Sequence, residues 1–204
     1  MNQNLTARGA KFLKGPLRHS MTTIHTLKPN VSREDAITHF SGPLTSLRFG
    51  RVHTVADIYI PFRLFRVHIT NRSRTEARFL GLDAVEGSFD LYSFDSVPDR
   101  GSLITLDTRN CPPRGLDPDQ AGVTVVERVR RLVFSRGFFK IRNLDIAAEL
   151  VPLDFHVPYW VGFSGSPSHL RLTVMDAIRR RFEGAKVRNF VRDWLSDTAL
   201  SEQV

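Results

Sequence analysis

The chain has 204 residues, 41% of them hydrophobic and 25% charged, and its net charge is +8. This composition is typical of a globular domain with a sizeable core, and it excludes a collagen-like, coiled-coil or largely disordered chain. Of the 29 basic residues 24 are Arg and five are Lys, which favours a partner with phosphates, carboxylates or aromatic faces, because these fit the planar guanidinium group.

The first 30 residues show neither core-forming periodicity nor the continuous apolar stretch of a secretory signal. Lys11, Lys14 and Arg18 make this segment basic. We therefore predict that residues 1–30 form a basic arm that becomes ordered on a partner. Apolar runs elsewhere are shorter than the roughly 18 residues of a membrane span, so we expect a cytoplasmic protein without a span.

Residues 31–96 predict a first unit made of one helix and a small antiparallel sheet. The helix is expected at residues 31–40 (VSREDAITHF), because Ser32 can cap its first turn and the apolar residues share one face. The β-formers from about 44 to 69 then predict one long strand. Pro61 indicates a bulge, a strand start or an edge within it, since proline has no N–H to donate.

Two further strands, ARFLGLDAV and SFDLYSF, complete the first unit. Residues 97–117 are rich in Pro, Gly and turn-forming residues and predict a connector. A second unit over residues 118–196 begins with a helix, because Asp117 is a suitable cap and Pro118 suits the first helical position. Gly137 is placed to end that helix.

After this helix, FFKIRNLDI, AAELVPLDFHVPYWVGF and LRLTVMDAI predict three strands, with SGSPS as a turn. Residues 184–196 predict an amphipathic helix that docks on the sheet, and Trp194 on its apolar stripe is expected to be buried. Residues 197–204 are polar and predict a frayed tail. The predicted fold is α+β, with two similar halves that share one core and a C-terminal amphipathic helix.

The two units share a short sequence pattern. DIYIPFRLFRVHI aligns with DFHVPYWVGF, and GLDAVEG aligns with VMDAIRR. The matched pairs are Asp57 with Asp154, Pro61 with Pro158, Phe62 with Tyr159, and Asp83 with Asp176. We interpret the pattern as an internal duplication, with chance similarity as the alternative. A hydrogen bond that caps the turn is enough to explain an aspartate at positions 83 and 176, without any catalytic role.

A strand that ends in Asp-Ala with a Gly nearby is the most specific string in the repeat. LDAVEG at residues 82–87 carries it, and MDAIRR at residues 175–180 lacks the Gly. In this respect the unit resembles PepSY-type domains, which are small modules of a helix and an antiparallel sheet. The resemblance covers residues 31–94 and 118–185, and it implies a noncatalytic binding or inhibitory module.

The sequence lacks the common signatures of catalysis: it has no HExxH string, no nucleophile elbow and no glycine loop for phosphates. Its seven His residues show no metal-ligand spacing, so we expect neither a metal nor a cofactor. Cys111 lies in a proline-rich turn with nothing to lower its thiol pKa, and we interpret it as incidental. An enzyme is the third hypothesis, through a pocket built from Asp57, Asp154 and His156.

Tyr159 and Trp160 are adjacent in a predicted strand, so their rings must point to opposite faces. Strand aromatics usually lie in the core, but if one face is the core, the other ring is offered to solvent or to a partner. Together with Arg179, Arg180 and Arg181, these two aromatics are the predicted partner-binding residues.

The leading hypothesis is therefore a noncatalytic binding module, acting as an adaptor or as a peripheral subunit of a larger assembly, including a membrane-associated one. The partner is expected to be another protein or a multisubunit complex. The alternative is a nucleic-acid-binding protein whose affinity falls with salt and depends on the arginines at 179–181. An anionic membrane surface is a further candidate partner.

Overall fold

The computed structural model describes residues 21–71, 74–135, 144–166 and 169–201. This part of the chain forms a curled sheet with helices packed on it, and its last element is a helix. These features confirm the predicted α+β class. The strands are β1 (Thr22–Leu27), β2 (Val52–Asn71), β3 (Arg74–Asp83), β4 (Tyr92–Phe94), β5 (Leu103–Thr108), β6 (Leu144–Ser166), β7 (His169–Asp176) and β8 (Arg181–Phe182). The helices are α1 (Arg33–Ser41), α2 (Pro43–Phe49), α3 (Pro118–Ser135) and α4 (Ala185–Ser201), with a short 3-10 turn at Arg100–Ser102.

The two longest strands, β2 and β6, run antiparallel and form the centre of the sheet. The strand order is β4-β3-β2-β6-β1-β5. The hairpin partner of β6 is β7, which covers positions 159–166 and also pairs with β8. β1 meets β6 in parallel at one position, where Thr26 opposes His156, and it pairs antiparallel with β5.

Alternate residues of β2 point to opposite faces of the sheet, and each face has its own core. On the first face, which we call the α4 face, Ile58, Ile60 and Phe62 are buried together with Val187 and Val191 of α4. Aromatic side chains from β4 and from the loop before it extend this cluster. The α4 face therefore carries the largest core.

The second face, which we call the α3 face, is covered by two helical segments. Phe65 and Val67 of β2 pack against Val125 of α3. Near the other end of β2, Val55 packs with Phe40 of α1 in a smaller cluster. Between these two clusters, residues 108–117 cross the centre of the α3 face.

Pro61 lies inside β2, a central strand, so of the three alternatives for this proline neither a strand start nor an edge applies, and the pairing with β6 becomes irregular just after it. Between Phe62 and Leu64 the register shifts, because β2 advances by two residues while β6 advances by four. The carbonyl of Pro61 accepts a hydrogen bond from the N–H of Ala84 at 2.8 Å. In an antiparallel strand the N–H and C=O of one residue point to the same side. The N–H that proline lacks would therefore point away from β6, so the central pairing loses no bond.

Both predicted helix caps are confirmed. At the start of α1, the Ser32 hydroxyl accepts a hydrogen bond from the N–H of Asp35 at 3.1 Å. At the start of α3, the Asp117 carboxylate accepts one from the N–H of Asp119 at 2.9 Å. The predicted stop of α3 at Gly137 lies outside the described residues.

The predicted arm and the predicted connector each contain a strand. Residues 22–27 form β1, in which Ile24 and Leu27 are buried, and residues 103–108 form β5. These strands are six residues long, and hydrogen-bonded Thr23 and Asp107 lie 84 positions apart. A short strand with so distant a partner has no local signal of its own. Residues 1–20 of the arm lie outside the described residues.

Two details of the predicted second unit are also wrong. Residues 144–166 form one strand instead of parts of two, while residues 138–143 lie outside the described chain. The last helix continues to Ser201, through part of the predicted tail. Trp194 is half-buried because it packs at the rim of the core cluster, whereas Val187 and Val191 lie inside it.

None of the helices in the described ranges is both long and apolar enough to cross a bilayer.

Candidate functional site

Tyr159 is a core residue, which corrects its prediction as a partner-binding residue. Its side chain is 3% exposed. It lies where β6 has a strand on both edges, since Ile58 opposes it on β2 and Asp176 on β7. Burial raises its pKa far above the usual value, and the nearby carboxylate of Asp176 adds to the effect.

Trp160 points to the opposite face, as predicted, but it too serves the fold. The ring packs against the small cluster under α1, and its indole N–H donates a hydrogen bond to the carbonyl of Val31 at 3.0 Å. The side chain is half-buried. Because its polar group is already bonded inside the protein, Trp160 is not a free aromatic anchor for a partner.

The three consecutive arginines are separated by the turn that follows β7. The guanidinium carbon of Arg179 lies 3.3 Å from the centre of the Tyr92 ring, and the side chain is half-buried. Arg180 has a positive φ of 56° and donates to the carbonyl of Asn30 at 2.9 Å. The Nε of Arg181 lies 3.4 Å from a carboxylate oxygen of Glu183. The three side chains therefore have different surroundings, and Arg180 and Arg181 are the exposed ones.

The two Asp-Ala turns have the structural role predicted for them. Asp83 accepts hydrogen bonds from the N–H groups of Glu86, Gly87 and Phe89 at 2.8–3.0 Å. In the second turn, Asp176 Oδ1 accepts from the backbone of residues 178 and 179 at 2.8 Å. Both carboxylates therefore fix the chain as it leaves a strand.

The two turns differ in the second carboxylate oxygen. In the first turn, Gly87 adopts a φ of 64° and the chain wraps around both oxygens of Asp83. In the second turn, the buried Oδ2 of Asp176 accepts no hydrogen bond from the described residues, and the Nε of Arg179 lies 4.0 Å away. Burial of this carboxylate raises the pKa of Asp176.

The three residues of the enzyme hypothesis lie on the α3 face, and each is engaged in holding the crossing segment of residues 108–117 or strand β1. Asp57 accepts hydrogen bonds from the Tyr59 hydroxyl at 2.8 Å and from the Asn110 side chain at 3.1 Å. Asp154 pairs with Arg114 at 2.5 Å. Both carboxylates are therefore already paired with groups of the protein, Asp57 in a partly buried position and Asp154 in an exposed ion pair.

His156 is 8% exposed, and its Nδ1–H donates to the carbonyl of His25 at 2.9 Å. Burial lowers the pKa of this imidazole, so the neutral ring is favoured. Cys111 is half-buried, and burial raises the pKa of its thiol, which makes it a poor nucleophile at neutral pH. The described residues contain no group of three or more His, Cys, Asp or Glu placed to hold a metal ion.

The feature that sequence reasoning missed is a long open edge on β6. Residues 144–151 pair with β2 along one side only, because β7 begins its pairing at Tyr159 and β1 touches only His156. No described strand lies along the other side of this stretch. An open edge presents a row of backbone N–H and C=O groups without strand partners.

A groove runs beside this edge, between the N-terminal half of α3 and β6. We call it the α3–β6 groove; its volume is about 540 Å³. Val123 is 61% exposed and Leu150 is 48% exposed, and both line it. The helical periodicity of α3 predicts that Val125 and Val129 lie in the core, but it does not account for Val123. An apolar residue on the outer side of a helix is the one sequence feature that could have indicated this groove.

The comparisons with known proteins give no match: no family model, no curated protein and no solved structure is significantly similar to this chain. The geometry alone therefore carries the functional conclusion.

Proposed function

We propose that this chain is a noncatalytic binding module, an adaptor or peripheral subunit, that takes up an extended segment of another protein at the open edge of β6. The observation that carries the proposal is the one-sided pairing of residues 144–151. An extended peptide that adds to such an edge gains main-chain hydrogen bonds along its length. The open edge therefore selects a strand-like partner.

The α3–β6 groove supplies the side-chain part of the interaction. In an added strand every second side chain points to the α3 face, where exposed Leu150 and Val123 lie beside half-buried Val126. Apolar side chains of the partner would cover these residues and remove them from water. Main-chain pairing gives affinity in such a complex, and the groove gives specificity.

The charge along the edge indicates which segment fits. On the opposite face of the same stretch, Asp145 and Glu149 are exposed, and Glu127 and Asp119 line the groove with a single arginine, Arg130. Glu127 is paired with Arg131 at 3.3 Å and Arg66 lies opposite Glu149 on β2, so Asp119 and Asp145 supply the acidic charge that a partner can meet. The favoured partner segment therefore alternates apolar side chains with basic ones.

The engagement of Asp57, Asp154 and His156 in the fold supports the noncatalytic character of the proposal. Each of these groups has a hydrogen-bond partner within the protein. A binding role needs none of them to change protonation.

The test compares co-purification of the native chain with that of two variants, followed by identification of the bound polypeptide. Leu150→Asp places a carboxylate in the apolar groove, and we expect it to reduce capture at least about tenfold, because desolvating an unpaired charge costs a few kcal/mol. Leu170→Asp is the matched control, since Leu170 is an exposed strand residue on β7 with 57% exposure. It should leave capture unchanged.

Three outcomes contradict the proposal. The first is a strict monomer that carries no polypeptide in its native state. The second is equal loss of the partner in Leu150→Asp and Leu170→Asp. The third is a bound polypeptide whose crosslinks map to the α4 face instead of residues 144–151.

Nucleic-acid binding through phosphate contacts remains the second candidate, favoured by the net charge of +8. It predicts that affinity for a short DNA duplex falls steeply as salt rises. Arg179 is not suitable for this test, because it is stacked on Tyr92 and removing it would also disturb the fold. Arg180 and Arg181 are exposed and are the better pair to replace.

We also infer that the two α+β units arose by duplication and share the PepSY-like organisation. Matched backbone contacts support this inference: the N–H of Ala84 donates to the carbonyl of Pro61 at 2.8 Å, and the N–H of Ala177 donates to that of Pro158 at 3.1 Å. In register, Asp83 opposes Phe62 and Asp176 opposes Tyr159. These are the positions that the sequence pattern aligns.

A further inference from the structure

We propose that the α3–β6 groove contains a pocket for one aromatic side chain of the bound strand, and that Gly122 creates it. This inference rests on the function proposed above and names the chemistry of the partner at that site. Gly122 on the helix and Ala148 on the strand are the two smallest residues that line the groove. The ring of Phe65, on the neighbouring strand β2, lies at its base.

Gly122 stands inside helix α3, and the packing of the protein gives no steric reason for a glycine there. A Cβ atom at this position would meet only Phe65, at an ordinary 3.8 Å. Gly115 and Gly162 differ, because a Cβ atom would lie 2.8 and 2.9 Å from neighbouring groups. Glycine also destabilises a helix interior relative to alanine. The missing side chain therefore leaves a gap that the free protein does not use.

The charged residues of the groove form its rim. Asp119, Glu127 and Arg130 line the groove and are exposed to solvent. Phe65, in contrast, is 1% exposed, and the two small residues beside it are half-buried. The base of the pocket is therefore apolar, while the polar groups at its mouth stay hydrated.

The hydrogen-bond pattern of the sheet determines which residue of the partner reaches the pocket. The carbonyl of Pro61 points to β3, and β2 pairs with β3 without a register shift beyond it. Phe65 and Val67 lie an even number of positions further along, so their backbone groups also point to β3. Their partners on β6, Leu150 and Ala148, therefore direct N–H and C=O to the open side.

A strand that pairs with these groups has one residue directly opposite Ala148. Residues opposite each other in a sheet point to the same face, so its side chain lies on the α3 face. There the alanine leaves space on the strand side and Gly122 leaves space on the helix side. This residue of the partner is the anchor of the complex.

The neighbours of the pocket favour an aromatic anchor. The atom nearest to the missing side chain of Gly122 is Cε1, at the edge of the Phe65 ring. Aromatic rings attract one another in edge-to-face arrangements, and each ring buries a large apolar area with few rotatable bonds. A charged anchor would lose its hydration beside apolar groups and is therefore disfavoured.

The experiment measures the affinity of three synthetic peptides for the full chain by calorimetry. Each peptide has the sequence Thr-Val-Lys-X-Lys-Val-Thr with blocked ends, so that X and both valines share one face of a strand. X is Phe, Leu or Ala. We expect the Phe peptide to bind at least about tenfold more tightly than the Ala peptide, with the Leu peptide between them.

A pair of variants tests the role of the glycine. Gly122→Leu fills the pocket with a side chain of the helix itself, so the Phe and Ala peptides should bind it with similar affinity. Gln120→Leu is the matched control, because it places the same side chain at an exposed position of α3 that does not line the groove. It should keep the full preference for Phe. Thermal unfolding checks that both variants fold.

The outcomes separate this inference from the function on which it rests. If no peptide binds, or if Leu150→Asp leaves binding unchanged, both are contradicted. If Leu150→Asp weakens binding but the Leu or Ala peptide binds as tightly as the Phe peptide, the aromatic pocket alone is overturned. A Phe preference that persists in Gly122→Leu has the same meaning. The peptide series uses the unaltered chain and decides the question even if Gly122→Leu does not fold.

Discussion

Polar side chains hold the segment of residues 108–117 against the centre of the α3 face. Arg63 donates to the carbonyl of Leu116 at 2.7 Å, and Arg114 pairs with Asp154. Asn110 is held twice, because its carbonyl accepts from the N–H of Tyr59 while its side chain bonds to Asp57. Groups that look suited to catalysis in the sequence thus supply the hydrogen bonds that hold this partly exposed crossing segment on the sheet.

The pKa of His156 makes stability depend on pH in a defined direction. Burial lowers this pKa in the folded protein below the usual 6.5. As the pH falls below about 6.5, the unfolded chain takes up a proton that the folded protein does not, so the free energy of unfolding decreases. Urea unfolding of the wild type relative to His156→Gln should show this loss between pH 7 and pH 5. A wild type that gains stability relative to the variant over this range would contradict the assignment.

At the scale of elements, α1 reaches the sheet through a close contact with β6. A Cβ atom at Gly162 would lie 2.9 Å from the ring of Phe40, a fully buried residue of α1. The helix can approach the strand this closely only because glycine stands there. The contact also explains why Trp160, two residues earlier on the same face, is covered by the chain around α1.

Gly162→Ala should therefore destabilise the protein by about 1–3 kcal/mol, because the buried ring has little room to move. Gly122→Ala is the matched control. A Cβ there would meet only Phe65, at an ordinary 3.8 Å, and alanine in a helix interior is favoured over glycine by about 0.5–1 kcal/mol. Denaturant unfolding should thus give effects of opposite sign. A neutral Gly162→Ala would show that α1 does not pack as tightly as described.

At the scale of the whole molecule, the parts predicted from the sequence are those with local signals. The caps at Ser32 and Asp117 depend on a few neighbouring residues, whereas the register shift after Pro61 belongs to the pairing with β6, which contributes the extra residues. β1 and β5 depend on each other across 84 positions, and no window of the sequence contains both. The open edge of β6 could not be predicted for the same reason, because it exists only where the distant strand β7 stops pairing with β6.

Tyr159 and Trp160 illustrate how tertiary context decides the rest. Their alternation along the strand is correctly predicted, but whether a face is covered depends on α1, α4 and β7, which come from elsewhere in the chain. Leu150 is the converse case. Its place in the strand pattern is typical of a core residue. However, helix α3 covers its neighbours Ile146 and Ala148 and leaves the Leu150 side chain about half exposed.

Backbone hydrogen exchange of the free protein tests the open edge of β6 most directly. In an antiparallel pair, alternate residues direct their N–H groups to the partner strand and away from it. Within 144–151 we predict that every second amide exchanges fast, whereas the amides of 159–163, which lie between β2 and β7, are protected at successive positions. Uniform protection of 144–151 at the level of 159–163 in the free chain would show that the edge is already covered, and would contradict its role as a binding edge.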